Sequence, residues 1–105
     1  MDVQDRIALI YPDDVLKRVG DFVRMARQRE RMKQSELAVR SGVPASTISR
    51  LERTGLASTD SLFKILFALD QLDGLEGYFK ERQRLVSFPK NLSEDDVMPV
   101  QRVRH

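Results

Sequence analysis

The sequence predicts an all-α fold of five helices, and three observations carry that prediction. Through most of residues 14–84, apolar residues recur at intervals of three and four, which is the period of an amphipathic helix. No segment sustains the alternation of apolar and polar residues that is typical of a half-buried strand. A length of 105 residues suits one domain with a short arm or tail.

The first helix is predicted over residues 14–30, after the break at Tyr11-Pro12, with Asp13 as its N-cap. Asp14 favours the first turn through the helix dipole. The residues expected to form an inward apolar stripe are Val15, Val19, Phe22, Val23 and Ala26.

Two short helices are predicted next, over residues 34–40 and 44–53, joined by a tight turn in which Gly42 is free to take a positive φ. A fourth helix runs from a cap at residue 58 or 59 to residue 69, and a fifth from residue 74 to 84. The apolar residues expected to face inward from the second, third and fourth helices are Leu37, Ile48, Leu51, Leu62, Ile65, Leu66 and Leu69.

Composition argues against several classes of protein. The chain has no cysteine and its one histidine is the last residue, His105, so a metal site, a cofactor held by thiolates or a histidine-based catalytic triad is not expected. Asp13-Asp14 and Asp95-Asp96 are interpreted as helix-start residues rather than catalytic pairs. The chain carries neither an apolar signal segment nor a membrane span, so a cytoplasmic, non-enzymatic protein is expected.

Charge is unevenly distributed along the chain. Residues 17–55 carry ten Lys and Arg against four Asp and Glu, whereas residues 1–16 are acidic and the whole chain has a net charge of +2. A basic middle of this kind indicates a polyanionic partner.

The predicted organisation is an N-terminal arm over residues 1–12, a domain over 13–86 and a C-terminal tail over 87–105, which is either a free end or a partner-binding segment.

The most informative pattern lies in the pair of short helices. A small residue, Ala38, is followed four residues later by Gly42, then by apolar Val43 and, five residues on, by Ile48. These offsets suit two helices that cross closely at a glycine turn, the second projecting its outer residues away from the core.

Three segments of this region resemble the phage Cro/lambda-repressor-like (Xre-type) helix-turn-helix family. They are residues 34–38 (QSELA), 41–43 (SGV) and 46–52 (STISRLE). The resemblance extends from about residue 19 to residue 75. It implies a five-helix lambda-repressor-like domain that binds double-stranded DNA at an inverted-repeat operator as a homodimer.

The resemblance also implies roles for individual residues. Ala45, Ser46, Ser49 and Arg50 match the base-reading face of the recognition helix. Phosphate contacts match Arg27, Lys33, Gln34, Thr47 and Arg53. Arg27 and Glu52 match a structural pair between the first and third helices, so Arg27 has two candidate roles.

The apolar cluster Leu75, Tyr78 and Phe79 on the fifth helix is interpreted either as part of the core or as the dimer interface. The N-terminal residues 7–10 are the second candidate for that interface.

The family usually has glycine where this chain has Arg31, and the loop that begins at Arg53 also departs from the family's common pattern.

Residues 47–50 (TISR) and 62–66 (LFKIL) resemble the HipB antitoxins. That resemblance implies a repressor that autoregulates its operon as part of a toxin-antitoxin system, with a HipA-type kinase toxin as partner. Two alternatives stay open, a stand-alone phage or chromosomal Xre-type regulator and an interaction module that has lost DNA binding.

Overall fold

The computed structural model describes residues 9–87, and these form five α-helices and no strand. The helices are α1 (Pro12–Arg29), α2 (Gln34–Ser41), α3 (Ala45–Thr54), α4 (Thr59–Ala68) and α5 (Leu72–Val86). The all-α prediction with five helices is confirmed. The chain divides into two compact units, residues 1–73 and 74–105, so α1 to α4 are described apart from residues 74–87. Most of the predicted arm and tail lies outside the described residues.

The core of the first unit is built by contacts among four helices. α1 packs against α3, and α2 packs against both α3 and α4. Each helix contributes at least one fully buried side chain, and together these are Val23, Leu37, Ile48, Leu51 and Ile65. The predicted inward positions of the second, third and fourth helices are therefore mostly correct, with Leu62 half-buried.

α1 and α3 approach each other closely because glycine occupies both contact points. A Cβ on Gly20 would lie 2.7 Å from the carbonyl oxygen of Leu51. Gly55, which ends α3 with a φ of +80°, places its Cα against the backbone of Leu16, and a Cβ there would collide with the Leu16 carbonyl. The two glycines let the backbones of α1 and α3 touch at both places.

The predicted inward stripe of α1 is correct only in part. Val23 is buried and Val19 and Ala26 are half-buried, but Val15 and Phe22 are 48% and 43% exposed. The contacts of α1 with α3 and the core are made along Leu16, Gly20, Val23 and Arg27. An apolar-periodicity argument misses this face because two of its four members, a glycine and an arginine, are not large apolar residues.

The start of α1 also differs from the prediction. Tyr11, not Asp13, is the N-cap, and Pro12 occupies the first helical position, where its missing N–H leaves no hydrogen bond unmade. The Asp14 carboxylate accepts a hydrogen bond from the Tyr11 N–H at 3.1 Å. Asp14 thus stabilises the first turn, as expected, while Asp13 lies inside the helix.

The turn after α1 uses a left-handed residue. Arg31 has a φ of +57°, a conformation that glycine adopts without the steric cost of a Cβ. At this position the family that the sequence resembles usually has glycine. The backbone therefore keeps the turn and Arg31 carries the strain.

Residues 74–87 form a unit described by itself. The helical part extends to Val86, two residues beyond the predicted end. Tyr78 and Phe79 are about half exposed, and their rings meet edge to face with centroids 5.2 Å apart. The Arg82 guanidinium lies over the Tyr78 ring, 5.7 Å from its centroid. This unit thus presents an aromatic cluster beside a cation.

Candidate nucleic-acid interface

The turn between α2 and α3 has the packing that the sequence predicts. Gly42 has a φ of +75°, and its N–H donates to the Ala38 carbonyl at 2.9 Å. Val43 is 3% exposed and Ile48 is fully buried. The small, glycine, apolar and apolar positions therefore lock α2 against α3, which leaves the other face of α3 to solvent.

That outer face of α3 carries the residues predicted to read DNA bases. Ala45, Ser46 and Arg50 are exposed, and Ser49 is half-buried beside them. The opposite face holds Ile48 and Leu51, both fully buried. The structure thus brings the predicted base-reading residues together on one accessible surface.

Several basic side chains near this surface lack an acidic partner. Lys33, Arg50 and Arg53 are exposed, and none forms an ion pair within residues 9–87. By contrast, Arg40 pairs with Glu36 at 3.0 Å on the exposed side of α2. The three unpaired cations keep their full charge available to an anionic ligand.

The N-termini of α2 and α3 have no capping side chain. Their N-cap residues, Lys33 and Pro44, make no side-chain hydrogen bond to the first turn. At α4 the Ser58 hydroxyl does accept from the Ser61 N–H, at 3.0 Å. The first N–H groups of α2 and α3 therefore keep a positive end that suits an anion such as phosphate.

Beneath this surface lies a buried ion pair between α1 and α3. The Arg27 Nε donates to Glu52 Oε2 at 2.7 Å, and Nη2 donates to Oε1 at 2.9 Å. The two side chains are only 11% and 4% exposed. The Arg27 Nη1 donates to the Met32 carbonyl at 2.7 Å, so the same guanidinium also holds the segment that leads into α2.

Glu52 remains ionised within this network. Burial on its own raises the pKa of Glu52, but hydrogen bonds from Arg27 and Gln34 and the charge of Arg27 outweigh that effect. The pKa of the carboxyl is therefore below its ordinary 4.5. The hydrogen bonds and charge of Glu52 raise the pKa of Arg27, despite its burial.

The predicted phosphate-contacting residues occupy different environments. Lys33 and Arg53 are exposed, whereas Gln34 and Thr47 are half-buried. The guanidinium of Arg27 is directed at Glu52 and Met32, so its structural role is the one that the geometry supports. A phosphate contact by Arg27 stays a prediction.

One contact in this network has no counterpart in the sequence reasoning. The Gln34 Nε2 donates to Glu52 Oε1 at 3.0 Å, which joins α2 to the ion pair. The two residues are 18 positions apart, and no local pattern links them. The resemblance pointed to both residues, but for separate roles.

Residues 9–87 contain no cluster of three or more His, Asp or Glu residues arranged to hold a metal ion. Within the same range, no helix has both the length and the apolar character needed to cross a membrane.

One known protein family matches the region that contains this geometry. A family model described as a helix-turn-helix domain matches residues 18–62, a segment that includes α2, the glycine turn and α3. No curated protein gives a significant match to the chain. Residues 18–62 thus match a helix-turn-helix domain, within an all-α fold consistent with that of the lambda-repressor-like proteins.

Proposed function

We propose that this chain is a sequence-specific DNA-binding transcription regulator that acts in the cytoplasm as a binding protein, not as an enzyme. The observation that carries the proposal is Arg50, which is exposed on the outer face of α3 and has no acidic partner within residues 9–87. An arginine there donates two hydrogen bonds to O6 and N7 of a guanine in the major groove.

Specificity would come from a small reading surface. Ser46 and Ser49 offer hydroxyls that pair with several base edges, and Ala45 offers a methyl group for contact with thymine. These contacts are few, so phosphate contacts supply much of the affinity. Lys33, Gln34 and Arg53 are the residues proposed for them, with Thr47 beside them.

A dimer fits this small surface, because one recognition helix reads too few bases to select one site. We infer a homodimer on an inverted repeat whose half-site centres are about 34 Å, roughly 10 base pairs, apart. The exposed rings of Tyr78 and Phe79, with Leu75, support α5 as the seam. Of the alternative seam, residues 7–10, the first two lie outside the described residues.

The test of base reading begins with operator selection from random DNA duplexes, followed by titration of the selected duplex. Arg50→Ala is expected to cost about 1–3 kcal/mol of binding free energy and to relax preference at one base pair per half-site. Arg40→Ala is the matched control, because Arg40 is an exposed arginine already paired with Glu36. It is expected to leave base preference unchanged.

Two outcomes would contradict the proposal. If Arg50→Ala keeps both the affinity and the base preference of the parent chain, the assignment of α3 as the recognition helix is wrong. If the parent chain binds all duplexes equally or none, with no dependence on salt concentration, the chain is an interaction module that has lost DNA binding.

The direction and partner of regulation form a narrower proposal. We infer a repressor that autoregulates its operon as a HipB-like antitoxin with a HipA-type kinase toxin, and the support is the resemblance over residues 47–50 and 62–66. The test is co-expression with the product of the adjacent gene, followed by co-purification and an operator reporter assay. A stable complex with a kinase-like protein and reduced reporter output is expected. Repression without such a partner would identify a stand-alone Xre-type regulator.

A further inference from the structure

Glu52 is a buried carboxylate immediately beneath the surface proposed to bind DNA. Its side chain is 4% exposed, yet the next residue, Arg53, is exposed. The carboxylate accepts three hydrogen bonds, two from Arg27 and one from Gln34. Two of these bonds belong to the ion pair, and the third extends to the first residue of α2.

The third bond determines which way the Gln34 amide faces. An ionised carboxylate only accepts hydrogen bonds, so the amide must turn its NH₂ group, not its oxygen, toward Glu52. One of the two Nε2 hydrogens is then occupied. The second makes no hydrogen bond to the described residues, and the Gln34 side chain is half-buried and therefore within reach of a ligand.

The same ion pair holds the backbone on the other side of Lys33. Arg27 binds the carbonyl of Met32, while Glu52 binds the side chain of Gln34. Lys33, the N-cap of α2, thus lies between two anchored neighbours. Arg27 also neutralises Glu52 through a two-point contact, which lessens the repulsion between this carboxylate and a phosphate nearby.

We propose that Glu52 is a positioning residue for the DNA backbone, which acts through Gln34. Glu52 holds the Gln34 amide with one N–H free, at a helix N-terminus that has no capping side chain. This N–H and the first peptide N–H groups of α2 are thereby oriented to bind one phosphate before DNA arrives. The inference rests on the proposed function and deepens it.

A double-mutant cycle on the selected operator tests the inference. Glu52→Gln is expected to weaken operator binding by about two- to tenfold in the parent chain, the range of one hydrogen bond. The second background is Gln34→Met, which lacks the amide but keeps a side chain of similar length. There, the logarithm of the affinity loss caused by Glu52→Gln is expected to be less than about half its value in the parent chain. Glu36→Gln, in the exposed pair with Arg40, is the control, and its effect should be the same in both backgrounds.

The outcomes separate this inference from the proposed function. An equal loss from Glu52→Gln in both backgrounds shows that Glu52 acts only through stability, and overturns the inference while DNA binding stands. A parent chain that binds no operator overturns the proposed function and the inference with it.

A second measurement covers a Glu52→Gln variant that fails to fold, which melting followed by circular dichroism reveals. In the free parent chain, NMR of the ¹⁵N-labelled Gln34 side chain is expected to show that one Nε2 hydrogen exchanges with water more slowly than the other. Rapid exchange of both hydrogens at the same rate would overturn the inference without any variant or DNA.

Discussion

Gly55 ends α3 at the point where the backbone of α1 lies against it, so Gly55→Ala adds one carbon atom where the fold leaves no space. The new Cβ would collide with the carbonyl group of Leu16. The obstacle is the backbone of α1, which cannot move aside as a flexible side chain can. The residue also has a φ of +80°, which is unfavourable for alanine.

The two effects can be separated because Gly42 has nearly the same backbone conformation without the crowding. Its φ is +75°, and a Cβ there would meet nothing within 4 Å. A left-handed alanine costs about 1–2 kcal/mol, partly offset by about 0.4–1 kcal/mol from the stiffer unfolded chain. Gly42→Ala is thus expected to lower the free energy of unfolding by about 1 kcal/mol.

Gly55→Ala has the same backbone cost and the collision in addition. Overpacking of a close contact typically costs about 1–3 kcal/mol, so we expect a total loss of about 2–4 kcal/mol. In a domain of this size, about 1 kcal/mol corresponds to roughly 4–8 °C in Tm. The Gly55 variant should therefore melt at least about 8 °C below the parent chain, and well below the Gly42 variant.

The assay is urea denaturation of the parent chain and both variants, followed by circular dichroism at 222 nm, with thermal melts as a second measure. The difference between the two variants reports the close approach of α1 and α3. If Gly55→Ala and Gly42→Ala have equal free energies of unfolding, the helices do not touch at Gly55 and the packing described for α1 is wrong.

Four further predictions concern the turn after α1, the buried carboxylate, the phosphate contacts and the proposed dimer. The free energy of unfolding of Arg31→Gly is expected to exceed that of Arg31→Ala by about 0.5–1 kcal/mol, because only the alanine keeps the strain of a left-handed Cβ. Equal urea midpoints for the two variants would contradict this. The pKa of Glu52 lies below its ordinary 4.5, so its contribution to stability is complete above that value and is lost as the pH falls through the lowered pKa. Urea titrations between about pH 7 and 3 should therefore show a shallower acid loss for Glu52→Gln, while Glu36→Gln changes little. Lys33→Ala is expected to weaken specific and non-specific DNA binding alike and to reduce the salt slope by about one unit per subunit, and an unchanged slope would remove Lys33 from the interface. If the proposed homodimer forms, the chain should sediment at twice its own mass at micromolar concentration, and Tyr78→Asp should convert it to a monomer. A parent chain that is monomeric both free and on the operator would contradict the proposed dimer.

Local sequence was sufficient to predict the helix-turn-helix itself. The offsets from Ala38 through Gly42 and Val43 to Ile48 specify a glycine turn between two helices, and the structure has that turn with Gly42 left-handed. The side of α3 that faces solvent follows from the same period, because burial of Ile48 and Leu51 leaves Arg50 outside. These features depend on residues close together in the chain, so a local pattern describes them.

The orientation of α1 and the network around Glu52 were decided by tertiary structure. The core-facing line of α1 includes Gly20 and Arg27, which bury themselves only because the backbone of α3 and the carboxylate of Glu52 lie opposite. Likewise, Gln34 meets Glu52 only after α2 and α3 fold against each other. Apolar periodicity reflects the hydrophobicity of each residue taken by itself. A close glycine contact or a buried ion pair, by contrast, depends on a partner far along the chain.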